Sequence, residues 1–153
     1  MIPKEALQFL ADLIANNNTE WMHANKKRYE SYKKDYHNFI TSILTEMKPL
    51  DKSLESLEVK NCTFRINRDI RFSKDKSPYK TNMGVWMSQN KNSKNAPGYY
   101  IHFEKGNCFI AGGVWCPEPG ELKLIRKEIE FFHDDLETIV AEKKKKNEFK
   151  ELT

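Results

Sequence analysis

The chain has 153 residues, 39% of them hydrophobic, with 3 Trp, 6 Tyr and 9 Phe; this suits one ordinary globular domain and excludes a disordered chain. At this size roughly two thirds of the unfolded surface is buried on folding, so no disulfide or metal is required as a staple. The net charge of +4, from 26 basic and 22 acidic residues, permits a polyanionic partner without requiring one.

Pro3 suits the first turn of a helix, where its missing N–H costs nothing. Leu7, Leu10 and Ile14, with Phe9 and Leu13, form an apolar helical stripe that stops at Asn16-Asn-Asn18, and Asn18 or Thr19 caps the next helix. From Trp21 the apolar positions Tyr29, Tyr32, Tyr36, Phe39/Ile40, Ile43 and Met47 recur at spacings of three and four. That predicts one long amphipathic helix, ended by Pro49. Residues 50–60 are polar and read as a connection.

The period then changes to two. Phe64, Ile66, Ile70 and Phe72 fall on one face of an extended segment and Arg65, Asn67, Asp69 and Arg71 on the other, which predicts a strand. Residues 73–82 form a loop around Ser77-Pro78, and Val85–Met87 begins another strand. The polar stretch 89–98, ending in Pro97-Gly98, reads as an exposed loop. Tyr99–Glu104 and Cys108–Trp115 make an antiparallel hairpin across Lys105-Gly106-Asn107, in which Gly112-Gly113 marks a bulge or a close backbone approach. Trp86 and Trp115 read as packing residues. After Pro117 and Pro119, Leu122, Ile125, Ile129, Phe132, Leu136 and Ile139 repeat at three and four as one or two helices, and the run 143–146 of four lysines suits a solvated helix end. The fold class is α+β: a single domain with N-terminal helices, a central mainly antiparallel sheet with a hairpin, and C-terminal helices.

Cys62, Cys108 and Cys116 are odd in number and form no C-x-x-C pair, so they read as core or near-core thiols of a reducing compartment. The N-terminus lacks a basic region followed by an apolar one, and no apolar run approaches the ~18 residues of a membrane span. The chain is therefore expected in the cytoplasm, without a membrane partner.

Chemistry concentrates in residues 64–81. Six basic and two acidic side chains lie between Arg65 and Lys80. On the apolar face the fifth member is Arg68, a guanidinium that is costly to bury unless a carboxylate or an anion pairs with it; Asp69 and Asp75 are the nearby carboxylates. Arg68 and Arg71 are candidate anion donors because the guanidinium fork matches carboxylate and phosphate, with Lys76 and Lys80 adding charge, Asp69 and Asp75 orienting them, and Tyr79 and His102 as hydrogen-bonding groups. The same residues equally suit a salt-bridge network that fixes the loop. Flanking cations favour Asp69 and Asp75 as charged anchors over general acids. His102 shares the Tyr100/His102/Glu104 face of the hairpin and is either a titratable base or a sheet histidine bonded to Glu104.

His23, His37 and His133 lack metal-ligand spacing, and no Walker loop, G-x-G-x-x-G or G-x-S-x-G occurs, so no metal and no cofactor is expected. The leading functional reading is an Arg/Lys-lined site for a small phosphate or carboxylate. A flat stripe joining Arg71, Lys76, Lys80, Lys91 and Lys94 would instead engage nucleic acid or an acidic protein partner. The sequence names no reaction and no oligomeric state.

The stretch Arg68-Asp-Ile-Arg-Phe-Ser-Lys-Asp-Lys-Ser-Pro-Tyr-Lys-Thr81 resembles the signature of the bacterial and fungal family known as domain of unknown function 2461. Asn16-Asn-Asn-Thr-Glu-Trp-Met-His-Ala-Asn-Lys26 with Tyr29, and Pro97-Gly-Tyr-Tyr-Ile-His102 followed by Gly112-Gly-Val-Trp115, resemble it further, over a family-like region of about residues 5–147. The resemblance implies an α+β domain without an established activity, with Glu20, Trp21, Asn25 and Tyr29 packed near the central motif. Met22 stands where the family usually has Phe, and the chain stops at Thr153 where relatives usually continue, which is expected to trim part of the pocket wall.

Overall fold

A computed structural model describes residues 2–89 and 96–141. These form six α-helices, one 3-10 turn and a three-stranded antiparallel sheet, an α+β architecture with helices at both ends of the order. The chain divides into two compact units, Met1–Val114 and Trp115–Thr153. No described helix is long and apolar enough to cross a membrane.

In the first unit, α1 (Lys4–Ala15) buries Ala6, Phe9, Leu10 and Leu13, positions spaced by three, one and three that share a helical face. The single helix expected from Trp21 is two: α2 (Thr19–Ala24) and α3 (Lys26–Met47). Asn25 causes the break. Its side chain and its own N–H both donate to the Trp21 carbonyl at 2.9 Å, closing α2, while its carbonyl accepts from Tyr29 N and opens α3. A short amide side chain competing for backbone groups favours such a junction over helix interior, and periodicity alone does not register it. Asn18 caps α2 by accepting from Trp21 N at 2.8 Å.

Along α3 the buried residues are Tyr32, Tyr36, Ile40 and Leu44, an i, i+4 row facing α1 and the sheet. The polar stretch after it is more than a connection. A 3-10 turn at Lys52–Leu54 and α4 (Val59–Cys62) tuck Leu54, Leu57 and Cys62 into the core.

The sheet runs β1 (Met83–Met87), β2 (Gly98–Phe103), β3 (Phe109–Gly113) in that spatial order. In β1, Met83, Val85 and Met87 are almost fully buried, and its outer edge is covered by chain at Thr63, which bridges Val85. The β2–β3 hairpin has the expected turn, but its register is continuous and the glycine pair makes no bulge. Gly112 pairs with Tyr99 and Gly113 with Gly98, and Gly113 holds φ of 142°, a conformation that favours glycine. Trp115 is exposed rather than packed, and of the three thiols only Cys62 is buried.

Gly98 has a different constraint. A Cβ there would lie 2.6 Å from the Met87 carbonyl oxygen and 2.7 Å from Trp86 Cζ2, and the backbone atom cannot step aside. Gly98→Ala is expected to destabilise the protein by about 1–3 kcal/mol in urea unfolding, whereas Gly120→Ala, with open space around it, is expected to be neutral.

The expected strand over 64–72 does not form. Ile66–Arg68 folds back against Pro78–Lys80 through one bridge, Asn67 to Tyr79, flanked by Arg68 N to Pro78 O at 2.9 Å and Lys80 N to Ile66 O at 2.7 Å. Pro78 has no N–H to extend that ladder, so pairing stops after one bridge. Phe72, the end of the supposed apolar face, is 95% exposed.

In the second unit, α5 (Pro119–Phe131) and α6 (His133–Ala141) contact each other, and neither contains a buried residue. Pro119 takes the first helical turn of α5, as its fixed φ prefers.

Candidate functional site

The fold-back of residues 66–80 generates two distinct places. One is the loop it closes; the other is a cleft between α3, residues 63–69 and the start of β1.

The loop consumes most of the expected anion donors. Arg68, its side chain 27% exposed, forms an ion pair with Asp75 and donates to the Ser77 carbonyl at 3.3 Å and Ser73 Oγ at 3.4 Å. Asp75 also accepts from Ser77 N at 2.9 Å and Ser77 Oγ at 2.6 Å. These Ser77 bonds first, then Arg68, hold its carboxyl far below the usual carboxylate range. Arg71 grips Asp69 through Nε at 2.9 Å and a terminal nitrogen at 2.6 Å, and Lys76 Nζ donates to the Ile70 carbonyl at 3.0 Å. The two arginines therefore do not converge: each is matched to its own aspartate. Tyr79 is buried, and its N–H and carbonyl are both clamped by the Asn17 amide, at 3.0 and 2.9 Å.

The depressed Asp75 pKa has a signed consequence. A carboxyl whose folded pKa lies below its unfolded value contributes stability that is complete above the ordinary carboxylate range and is lost as pH falls toward the folded pKa. Asp75→Asn is expected to lower the melting temperature at neutral pH, and the gap from the wild type is expected to shrink steadily below about pH 4. Circular dichroism melts across that range check it.

The cleft has a volume of about 670 Å³, within the span of small-ligand sites. Its floor is aromatic and apolar, with Tyr32, Tyr36 and Met83 buried and Tyr29 at one side. The Tyr36 hydroxyl donates to the Gly84 carbonyl and accepts from Phe64 N at 3.2 Å, tying α3 to both other walls; burial pushes that phenol up to about 12. Four cations line the cleft; Arg68 is taken by Asp75, which leaves three, Lys33 from α3, Arg65 from the returning chain and Lys80 after the bridge. No carboxylate among the described residues lies within ion-pair distance of any of them. The acid on the rim, Asp69, is already held by Arg71, with Arg65 lowering its pKa further. Asn67 and Asn82 add amide groups to the lining. Lys80 Nζ sits 5.2 Å from the Phe64 ring centroid, and burial, then repulsion by Arg65, lowers its pKa.

Tyr100 on β2 forms part of the wall, and its hydroxyl is 2.9 Å from His102 Nδ1. Asn82 Nδ2 approaches the same nitrogen at 3.3 Å, while His102 Nε2 faces Glu104 Oε2 at 3.4 Å. Two donors at Nδ1 assign the ring proton to Nε2, where Glu104 accepts it. His102 is stacked on Phe109 at 4.9 Å, its side chain 13% exposed, so the group that faces the cleft is Tyr100. Gly84 makes room for that phenol: a Cβ there would lie 2.9 Å from the Tyr100 hydroxyl.

Of the residues singled out from sequence, Lys80 alone lies unpaired in the cleft; Arg68 and Asp69 border it but are engaged, Arg71, Asp75 and Lys76 belong to the loop, Tyr79 to the core, and His102 stands behind Tyr100. Asn82 follows Lys80 by two residues, Tyr100 comes from the hairpin face it shares with His102, and Lys33 comes from α3, where no local pattern marks it. Lys91 and Lys94 lie outside the described residues. Of the family-like N-terminal residues, Tyr29 lines the cleft, Asn25 caps α3, Trp21 packs on Phe9 at 5.7 Å, and Glu20 is exposed. The group His133, Asp134 and Glu137 has ligand atoms close enough for one cation, but all three are exposed on α6.

A family model described as conserved hypothetical protein (DUF2461) matches residues 5–153, running further than the region marked by the motifs. Comparison with curated proteins and with solved structures gives no match.

Proposed function

The chain belongs to the DUF2461 family of conserved hypothetical proteins, and from that premise we propose that the cleft beside α3 binds a small anionic ligand, a phosphate or a carboxylate. The observation that carries this reading is the set of three cations, Lys33, Arg65 and Lys80, lining a concave space in which none of them forms an ion pair with a described carboxylate. Positive charge that repels itself within a partly dry cleft is a cost the free protein bears and an anion relieves. Asn67 and Asn82 supply hydrogen bonds for the remaining oxygens, and the tyrosine floor suits an apolar or planar body on the ligand. Arg68 and Arg71 are assigned a structural role, holding the loop through Asp75 and Asp69.

Calorimetric titration with inorganic phosphate, and in parallel with a single-stranded oligonucleotide, tests the reading. The expected result is one saturable phosphate site whose affinity falls gently with salt. Oligonucleotide binding with a steep salt dependence and no saturable phosphate site would favour the interaction-module alternative instead.

A further inference from the structure

Lys80 is the group in the cleft whose chemistry exceeds attraction of an anion. Its Nζ faces the Phe64 ring, it has Arg65 for an electrostatic neighbour, and no carboxylate among the described residues pairs with it. Lysines held by a carboxylate stay charged and inert. A half-buried one beside a guanidinium has a larger neutral fraction at any given pH, and the neutral amine is the nucleophile. The same cleft contains a hydroxyl with a proton route behind it: Tyr100, bonded to His102 Nδ1, with Glu104 at the far ring nitrogen. Phe64 touches both parts, edge-on to Tyr100 at 6.3 Å and beneath Lys80 at 5.2 Å.

We infer that Lys80 forms an imine with a small oxo acid, a carbonyl compound whose carboxylate or phosphate is held by Arg65 and Lys33. The inference rests on the anion-cleft reading and names its ligand class. In the step, the neutral Lys80 nitrogen attacks the carbonyl carbon and the C=O pair moves onto oxygen. That oxygen takes a proton from the Tyr100 hydroxyl, and the nitrogen gives one back to the Tyr100 oxygen, whose transient negative charge is held within its hydrogen bonding to the His102 side. A second protonation of the carbinol oxygen and loss of the remaining N–H proton expel water and leave C=N. Amine and carbonyl give imine and water, and no oxidant or reductant is consumed. A protonated imine then draws electrons from the bond beside the former carbonyl, which places the ligand among substrates of C–H or C–C bond chemistry.

The test traps the adduct. Full-length protein is incubated with pyruvate, or the smaller glyoxylate, and sodium cyanoborohydride, then digested and analysed by mass spectrometry, with phosphate titrations run alongside. The expected result is a carboxyalkyl group concentrated on Lys80 at less than one label per chain, suppressed by excess phosphate. It is also expected that Lys80→Arg, whose guanidinium forms no imine, loses the label. Labels spread over the surface lysines with no preference for Lys80, in a protein that binds phosphate normally, overturn the imine and leave the anion site standing. Absence of both phosphate binding and Lys80 labelling overturns the two together.

Discussion

Phe9→Ala is expected to remove about 3–5 kcal/mol of stability, a large part of the roughly 5–15 kcal/mol that holds a domain of this size together. Phe9 is 1% exposed and stands at the centre of an aromatic cluster: its ring centroid is 5.1 Å from Tyr32, 5.7 Å from Trp21 and 6.1 Å from Tyr29. One side chain thus links α1, α2 and α3, with Arg28 reaching from α3 to lie 5.9 Å from its centroid and to pair with Asp12 of α1. Removing the ring deletes contacts to three elements at once and leaves a cavity rigid helices cannot close. Tyr29 and Tyr32 also line the cleft, so ligand affinity is expected to fall alongside stability. Leu7→Ala on the same helix, at an exposed position, is expected to change stability by about 0.5 kcal/mol or less. Guanidinium unfolding of both variants checks the contrast.

Lys80→Met is expected to weaken phosphate binding by about tenfold to a hundredfold while leaving the melting temperature nearly unchanged. A charge-assisted hydrogen bond contributes about 1.5–3 kcal/mol, and that range converts to those factors. Met keeps the length and apolar stem that lie against Phe64 and drops only the amine. No described ion pair depends on Lys80, so nothing is left unpaired by its loss. Lys76→Met is the counterpart: Lys76 is exposed, lies outside the cleft lining and donates to the Ile70 carbonyl, and its removal is expected to leave phosphate affinity unchanged. Equal losses in the two variants would mean that phosphate is drawn by general surface charge.

The longer helices were legible because each has one apolar face and a local stop signal. Phe9, Leu10 and Leu13 in α1, and Tyr32, Tyr36 and Ile40 in α3, sit where a 3.6-residue period puts them. The hairpin was legible for a similar reason, its alternation and its turn both being local. The segment 64–72 misled because alternation describes a strand only if a neighbour pairs with it. Here the neighbour is a Pro78-containing strand of chain that supports one bridge, leaving Phe72 in solvent. Leu54, Leu57 and the break at Asn25 went unread because short turns carry too few residues to show a period.

For the site, Arg68 was conspicuous as the one charged member of an apolar face, and Asp75, seven residues on, is the partner that compensates it. The cleft was much less legible. Lys80 and Arg65 belong to the basic segment, but Lys33 and Tyr100 approach from positions 47 and 20 residues away in sequence from Lys80. Only the fold-back at Asn67–Tyr79, fastened by Asn17, turns the segment toward α3. A basic stretch reveals charge; which of its members are already neutralised is a tertiary fact.

In the proposed site the unpaired cations of the α3 cleft, rather than the arginine-rich loop, receive the anion. Mapping amide shifts by two-dimensional NMR as inorganic phosphate is added tests this most directly. Saturating shifts are expected at Arg65, Asn67, Lys80, Asn82 and Gly84 together with Lys33 on α3, with little change from Asp69 to Ser77. Shifts centred on Arg68, Arg71 and Lys76, or a non-saturating drift across all the lysines, would contradict it.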